Sequence, residues 1–275
     1  MTQKITIPHL QAMKRAGEKI VGVVVWDYQL AMIADRAGVD IISVGDSVGV
    51  NLWGHANPLA VTLEQMITVA QAARRGTQRA LLSCDFPYGP LQHSTDAALE
   101  AGIRLVKETG VDMIKLDGAA AFPDTVAALT QAGIPIWAQF GVTPQTALHY
   151  GIPYSAQSEA GAEVPPELQD RLVDEARTLE AAGAAMLDFT NSGPIVGAAV
   201  AAAVSIPVIG GFGGGPWLDG RVRMAHAAIG YGARHLDEEI DTYANVAKIT
   251  HQAIAELSAD VRAGRQIRGA RAAKK

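Results

Sequence analysis

The chain has 275 residues, 49% hydrophobic and 19% charged, with a net charge of −5. Such a composition is globular, long enough for one large core, and carries no basic field pointing to nucleic acid. The single Cys84 excludes an internal disulfide framework, no run of about 18 apolar residues marks a membrane span, and "MTQKITIPHLQAMKRAG" lacks a signal-peptide apolar region, so a cytoplasmic protein is expected.

Taken in chain order, one phrase repeats: a short apolar run, a polar break, an amphipathic helical segment. The runs are 21–27, 41–46, 80–86, 113–118, 134–141, 185–190 and 206–214. Between them "YQLAMIADRAG", "TLEQMITVAQAARRG", "TDAALEAGIRLVKETG", "FPDTVAALTQAG", "PPELQDRLVDEARTLEAAG" and "GPIVGAAVAAAV" read as helices. Several end at Ala-Gly or Arg-Gly, as a helix with a C-terminal glycine does, and Thr62 with Gln65 forms a capping box. Strands alternating with helices imply a parallel sheet, and seven units in this length fit a (β/α)8 TIM barrel. The eighth strand is weak and is expected between "DGRVRMAHAAIGYG" and "ARHLD"; residues 239–264 read as one or two extra C-terminal helices. A single barrel domain over 1–265 is expected, followed by a disordered basic tail over 266–275. The loops 47–61 and 141–166 are long enough to cover a site.

In such a barrel chemistry sits at the C-terminal ends of the strands. Those ends carry Asp27, Asp46, Asp85, Lys115 with Asp117, Gln139, and Asp188 with Thr190. Side chains alternate along a strand, so Lys115 shares a face with Asp117, and Asp188 with Thr190. One such acid is commonly a helix cap or a structural ion pair. Several at one mouth need a cation or a proton to offset them. All-oxygen ligands favour a hard cation such as Mg²⁺, with a 2-oxo acid supplying further oxygens. Gly45 and Gly49 let the backbone approach Asp46, and Ser47 offers a hydroxyl to a substrate carboxylate. Lys115 alone suits a Schiff base; beside Asp117 it reads as a charged lysine in a polar network. Cys84 reads as buried filler, His226 as a packing residue, and "GGFGGG" as a phosphate cradle or a tight turn. His55 and His149 lie on the long loops.

The stretches "VGDSVG", "LLSCDFPYG", "MIKLDG", "GVTPQ" and "IPVIGGFGGGPWLDGRV" occur in that order over roughly residues 20–265, and on them the chain resembles the ketopantoate hydroxymethyltransferase family of pantothenate synthesis, related to the phosphoenolpyruvate mutase and isocitrate lyase group. The resemblance implies a Mg²⁺-dependent hydroxymethyltransferase that deprotonates a 2-oxo acid beside its carbonyl and adds a one-carbon unit from 5,10-methylenetetrahydrofolate. Carried over by position, Asp46 and Asp85 hold the metal, and Asp117 is an outer or water-mediated ligand. Ser47 and Lys115 hold the substrate carboxylate and carbonyl oxygens. Gly45 and Asn191 are further substrate-binding candidates, from the residues themselves and not from the resemblance. A homo-oligomer, a decamer by resemblance, is implied, with no nucleic-acid or membrane partner.

The departures concern the proton. The family has Glu at the position of Asp117, His at Gln139, and at Thr190 the Glu taken as general base. The family also has Ile and Ala at the second and fourth positions of the stretch that reads "GGFGGG" here. A threonine hydroxyl does not titrate near neutrality and cannot serve alone as a base. Three accounts are open: Asp188 is a relocated carboxylate, assisted by water near Thr190 and Asn191; a loop residue such as His55 or His149 takes the proton; or the barrel does different chemistry. Three functional readings are carried beside them: an aldol-type transferase on a 2-oxo acid, a carbon–carbon lyase or other mutase-like enzyme, and a metabolite-binding barrel without turnover.

Overall fold

The structure, a computed structural model, describes residues 3–146, 151, 165–211 and 215–269. It divides into two compact units, Met1–Arg223 and Met224–Lys275. The first opens with α1 (Ile7–Ala16), β1 (Ile20–Val24), α2 (Tyr28–Ala37), β2 (Ile41–Val44), α3 (Val48–Asn51), α4 (Leu63–Gly76), β3 (Leu81–Asp85), α5 (Pro90–His93) and α6 (Thr95–Thr109). It continues through β4 (Met113–Leu116), α7 (Pro123–Gln131), β5 (Ile136–Gly141), α8 (Gln169–Ala181), β6 (Met186–Thr190), α9 (Pro194–Ala203), β7 (Val208–Gly210) and β8 (Gly220–Met224). The eight strands form a closed parallel barrel in sequential order. The expected (β/α)8 architecture is therefore the observed one.

Local chemistry explains the helix ends. Thr62 Oγ1 accepts from the Gln65 amide at 3.2 Å, and Gln65 Oε1 accepts from the Thr62 amide at 2.9 Å, which is the expected capping box. Gly38 and Gly110 end their helices with φ of 86° and 68°, a conformation that favours glycine. Gly76 does something else. It is the last residue of α4, and a Cβ there would come 2.5 Å from the carbonyl oxygen of Tyr28, so the glycine lets α4 and α2 touch.

The floor of the barrel is apolar. Ile20, Ile41, Leu81, Met113, Trp137, Met186, Ile209 and Val222, one from each strand, cluster with Ile5, Leu10 and Met13 around α1. Full burial of such a side chain contributes about 1.5–3 kcal/mol, so α1 is a hydrophobic plug for the lower end. Polar chemistry is left to the other end.

The eighth strand lies inside the "DGRVRM" stretch. It alternates buried Gly220 and Val222 with exposed Arg221 and Arg223. The second unit holds α10 (Ala225–Ala228), a 3₁₀ turn (Ala233–Leu236) and one long helix, α11 (Val246–Arg262), where one or two were expected. His226 stacks edge-on against Tyr231 at 4.8 Å, in keeping with a packing role. Among the described residues no helix is long and apolar enough to cross a membrane.

Candidate active site

Above the apolar floor, period-two alternation sets two further inward tiers. The first carries Ser43, Ser83, Lys115, Gln139 and Asp188, from β2 to β6 in order. The next carries Gly45, Asp85, Asp117, Gly141 and Thr190 at the strand tips. Asp46 follows in the turn after β2. Asp188 thus stands one tier deeper than Thr190 and Asp85.

Lys115 is the hub. Its ammonium lies 3.0 Å from Asp188 Oδ2 and 3.7 Å from Asp85 Oδ1, and 5.2 Å from the centre of the Trp137 ring. Burial, the largest influence, works to discharge it, but Asp85 and Asp188 together outweigh burial and hold the lysine well above its usual range. A Schiff-base nucleophile needs the opposite shift, so Lys115 is a charged lysine in a polar network.

The acids above it are held in an unfavourable state. Burial, then Asp117, pushes the Asp46 carboxyl up to about 6, although the Gln145 amide favours the charge. Burial pushes Asp85 up to about 7, opposed by Lys115 and reinforced by Asp46. Burial pushes Asp117 up to about 7 against hydrogen bonds from Thr143 and the Gln145 amide. Asp85 Oδ1, Asp117 Oδ1 and Asp188 Oδ1 are buried with no hydrogen-bond partner. Buried carboxylate oxygens are normally satisfied, so three in one mouth mark a place for a missing charge or donor.

Among the described residues, no three His, Cys, Asp or Glu side chains converge as a ready metal cage. Asp46, Asp85 and Asp117 form no such three-ligand cage; the expected arrangement is two direct ligands with Asp117 as an outer or water-mediated one. The Asp46 amide donates to Asp85 Oδ2 at 3.3 Å, which sets these two side by side, while Asp117 is tied in through Gln145. Two adjoining carboxylates, a third in reach and unpartnered oxygens fit a hard divalent cation that keeps waters or substrate oxygens as its other ligands.

The remaining expected residues divide. Gln139 Nε2 donates to Thr190 Oγ1 at 2.9 Å, so the two form one neutral pair beside the acids. Asn191, 1% exposed and at φ 55°, turns its amide to the Val142 carbonyl at 3.4 Å and braces the segment after β5. Ser47 heads α3 with no capping hydrogen bond from its side chain. Gly45 is needed for close approach, since a Cβ would lie 2.7 Å from both Ser47 Oγ and Val24 Cγ1. His55 packs its Nδ1 against Gly49, where a Cβ would be 3.0 Å away, and that nitrogen has no partner. Asp27 is exposed and caps α2 through the Leu30 amide at 2.8 Å, so it leaves the site. Cys84 is fully buried, and burial, then Asp85 and Asp46, keeps its thiol well above its usual range and inert. His149, most of the 141–166 loop and residues 212–214 of "GGFGGG" lie outside the described residues.

Gln145 and Trp137 were missed. Gln145 sits in "GVTPQ" just beyond the β5 tip, a position that marks it as near the mouth. Trp137 reads as core in any apolar run, and only the barrel closure sets it beneath Lys115.

The three raised carboxyls make stability depend on pH. Each folded pKa lies above the unfolded value of 3.8, so the folded state prefers the proton. Their favourable contribution is fully present below the unfolded value and is lost as pH rises through 6 to 7. Metal-stripped protein is expected to melt at a lower temperature at about pH 8 than at about pH 5. Mg²⁺ is expected to recover the difference at the higher pH only. Scanning calorimetry at both pH values checks this, and a Mg²⁺ effect of equal size at both would contradict it.

A sequence profile described as ketopantoate hydroxymethyltransferase matches residues 4–266. A 3-methyl-2-oxobutanoate hydroxymethyltransferase of Cyanothece sp. is 38% identical over 259 residues, covering 94% of this chain and 96% of the relative. One from Moorella thermoacetica is 36% identical over 263 residues, covering 95% of each. Among solved structures, phosphonopyruvate hydrolase in complex with oxalate and Mg²⁺ superposes with a TM-score of 0.58 at 14% identity, covering 95% of this chain and 99% of that one. For 2,3-dimethylmalate lyase, a PEP mutase/isocitrate lyase superfamily member, the TM-score is 0.59 at 14% identity, over 93% and 88% of the two chains. These structural likenesses concern the fold alone.

Proposed function

The chain belongs to the ketopantoate hydroxymethyltransferase family, and from that premise we propose that it transfers a hydroxymethyl unit to the carbon beside the carbonyl of a 2-oxo acid, with 3-methyl-2-oxobutanoate as the first substrate to test. The observation that carries the reading is Lys115, buried between Asp85 and Asp188 and directly below the acids of the mouth. A fixed, buried ammonium binds the oxygens of an oxo acid and favours negative charge developing there.

In this reading Asp46 and Asp85 hold Mg²⁺, with Asp117 outside them, and the bound ion would act as a Lewis acid toward the keto oxygen. Ser47 and the backbone at Gly45 receive the substrate carboxylate. Lys115 orients the carbonyl end. Asp188 takes the proton: the C–H electron pair passes into the enolate, and the proton moves to the unpartnered Asp188 Oδ1. For the one-carbon unit, 5,10-methylenetetrahydrofolate is the proposed donor: water cleaves its two C–N bonds to give formaldehyde and tetrahydrofolate, the enolate carbon bonds to the formaldehyde carbon, the C=O pair passes to oxygen, and that oxygen takes a proton to become the hydroxyl. Thr190 accepts from the Gln139 amide, so its own O–H is left to donate to an oxygen of the incoming unit.

That neutral Gln139–Thr190 pair also supports a second reading. The resemblance expects His and Glu at these positions, and a barrel without that base suits a carbon–carbon lyase acting on an oxo acid.

Proton NMR in D₂O separates the two. With protein and Mg²⁺, the C3 proton signal of 3-methyl-2-oxobutanoate is expected to disappear, and the loss is expected to stop when EDTA is added. Binding by titration with no exchange would overturn the transferase reading and send the search to lyase substrates.

A further inference from the structure

One residue touches two of the three acids. The Gln145 backbone amide donates to Asp117 Oδ2 at 3.1 Å, and its side-chain Nε2 donates to Asp46 Oδ2 at 3.0 Å and to the Phe86 carbonyl at 3.4 Å. The segment that carries it is pinned on both sides. Thr143 and Thr146 share a hydroxyl hydrogen bond of 2.7 Å, and Asn191 Nδ2 holds the Val142 carbonyl. Asp85 and Asp117 each keep an oxygen with no partner, whereas the Asp46 Oδ2 lone pairs already face a donor.

A positively polarised N–H and a divalent cation compete for the same carboxylate lone pairs, and at close range they repel each other. We propose that Gln145 is a stand-in for the cation: its side-chain amide holds Asp46 while the site is empty and is displaced from Asp46 Oδ2 when the ion binds. Gln145 is then a positioning residue. Its backbone bond to Asp117 ties the β5-to-α8 connection, at residues 142–146, to the state of the acids. The stand-in role rests on the proposed cation site at Asp46 and Asp85.

Competition fixes the sign of the effect. Gln145→Leu keeps side-chain bulk and removes the donor. Gln145→Asn keeps an amide that is one methylene too short to hold Asp46. A hydrogen bond to a charged group is worth enough to shift an equilibrium about tenfold. The test is titration of metal-stripped protein with Mn²⁺ alone at about pH 8, where the carboxyls are ionised, followed by electron paramagnetic resonance of free Mn²⁺. Gln145→Leu is expected to bind Mn²⁺ about tenfold tighter than the parent, and Gln145→Asn to shift in the same direction. A residue that only braces the loop, or that serves as a ligand, would give unchanged or weaker binding in both variants, and that result overturns the stand-in role. If the parent itself binds no Mn²⁺, the cation site fails, and the stand-in role with it.

Discussion

Asp85→Asn is expected to abolish tight divalent-cation binding and to slow metal-dependent proton exchange by on the order of 10²–10³-fold. The same substitution is expected to raise the melting temperature of the metal-free protein at about pH 8. The two effects have one origin. Asp85 is pushed up to about 7 mainly by burial, opposed by the ammonium of Lys115 and aggravated by Asp46. Above that pH the metal-free protein must carry a charge that its surroundings do not favour. Asparagine has the shape of the neutral acid, so it relieves the metal-free protein and removes the negative charge the cation needs. Calorimetry and Mn²⁺ titration on one preparation read both quantities. Loss of stability at alkaline pH together with loss of binding would mean that Asp85 is mainly the partner of Lys115, and the pairing at 3.7 Å would have to be read as stronger than its length suggests.

Lys115→Met is expected to cost about 3–5 kcal/mol of folding stability. Asp188 has its carboxylate 3.0 Å from the ammonium and only 2% of its side chain exposed. Removing the cation leaves that charge buried and unpaired, with Asp85 above it. The lysine is held above its usual range, so its contribution is fully present at neutral pH and is lost only as pH rises through that elevated value. The double variant Lys115→Met, Asp188→Leu is expected to recover most of the loss, because an apolar pair of similar volume needs no compensation. It is also expected to show no proton exchange. Urea denaturation of the parent, both single variants and the double variant gives the coupling. If Lys115→Met alone unfolds at the parental urea concentration, water reaches Asp188 and its charge is not left uncompensated.

Much of this architecture is legible in the sequence alone. Strands buried on both faces are continuous apolar runs, which is why β2 to β6 stand out in the sequence. The last strand did not stand out because Gly220–Met224 exposes Arg221 and Arg223 on one face, so its pattern is an alternation and not a run. The Arg75-Gly76 pair reads as a helix stop in the sequence; the constraint on Gly76, the carbonyl of Tyr28, belongs to a helix distant in sequence.

The candidate site was legible by type and not by grouping. Acids at strand ends are visible in the chain, and period-two alternation correctly set Lys115 with Asp117 and Asp188 with Thr190. Asp27 belonged to the same pattern and proved to be a helix cap, because at the end of β1 its backbone turns straight into α2 and the first free amides take the carboxylate.

By itself the sequence determined that this protein is a barrel with acids and one lysine at the strand tips, because side-chain periodicity and the rarity of buried charge are local rules. Only the tertiary structure decided which acid meets which cation. Lys115 sits between Asp85, its partner on the neighbouring strand, and Asp188 on β6, and Gln145 bridges Asp46 and Asp117 from a segment 99 and 28 residues away. Those pairings depend on the closure of eight strands around one axis, and closure is set by the packing of the whole core and not by any stretch of the chain.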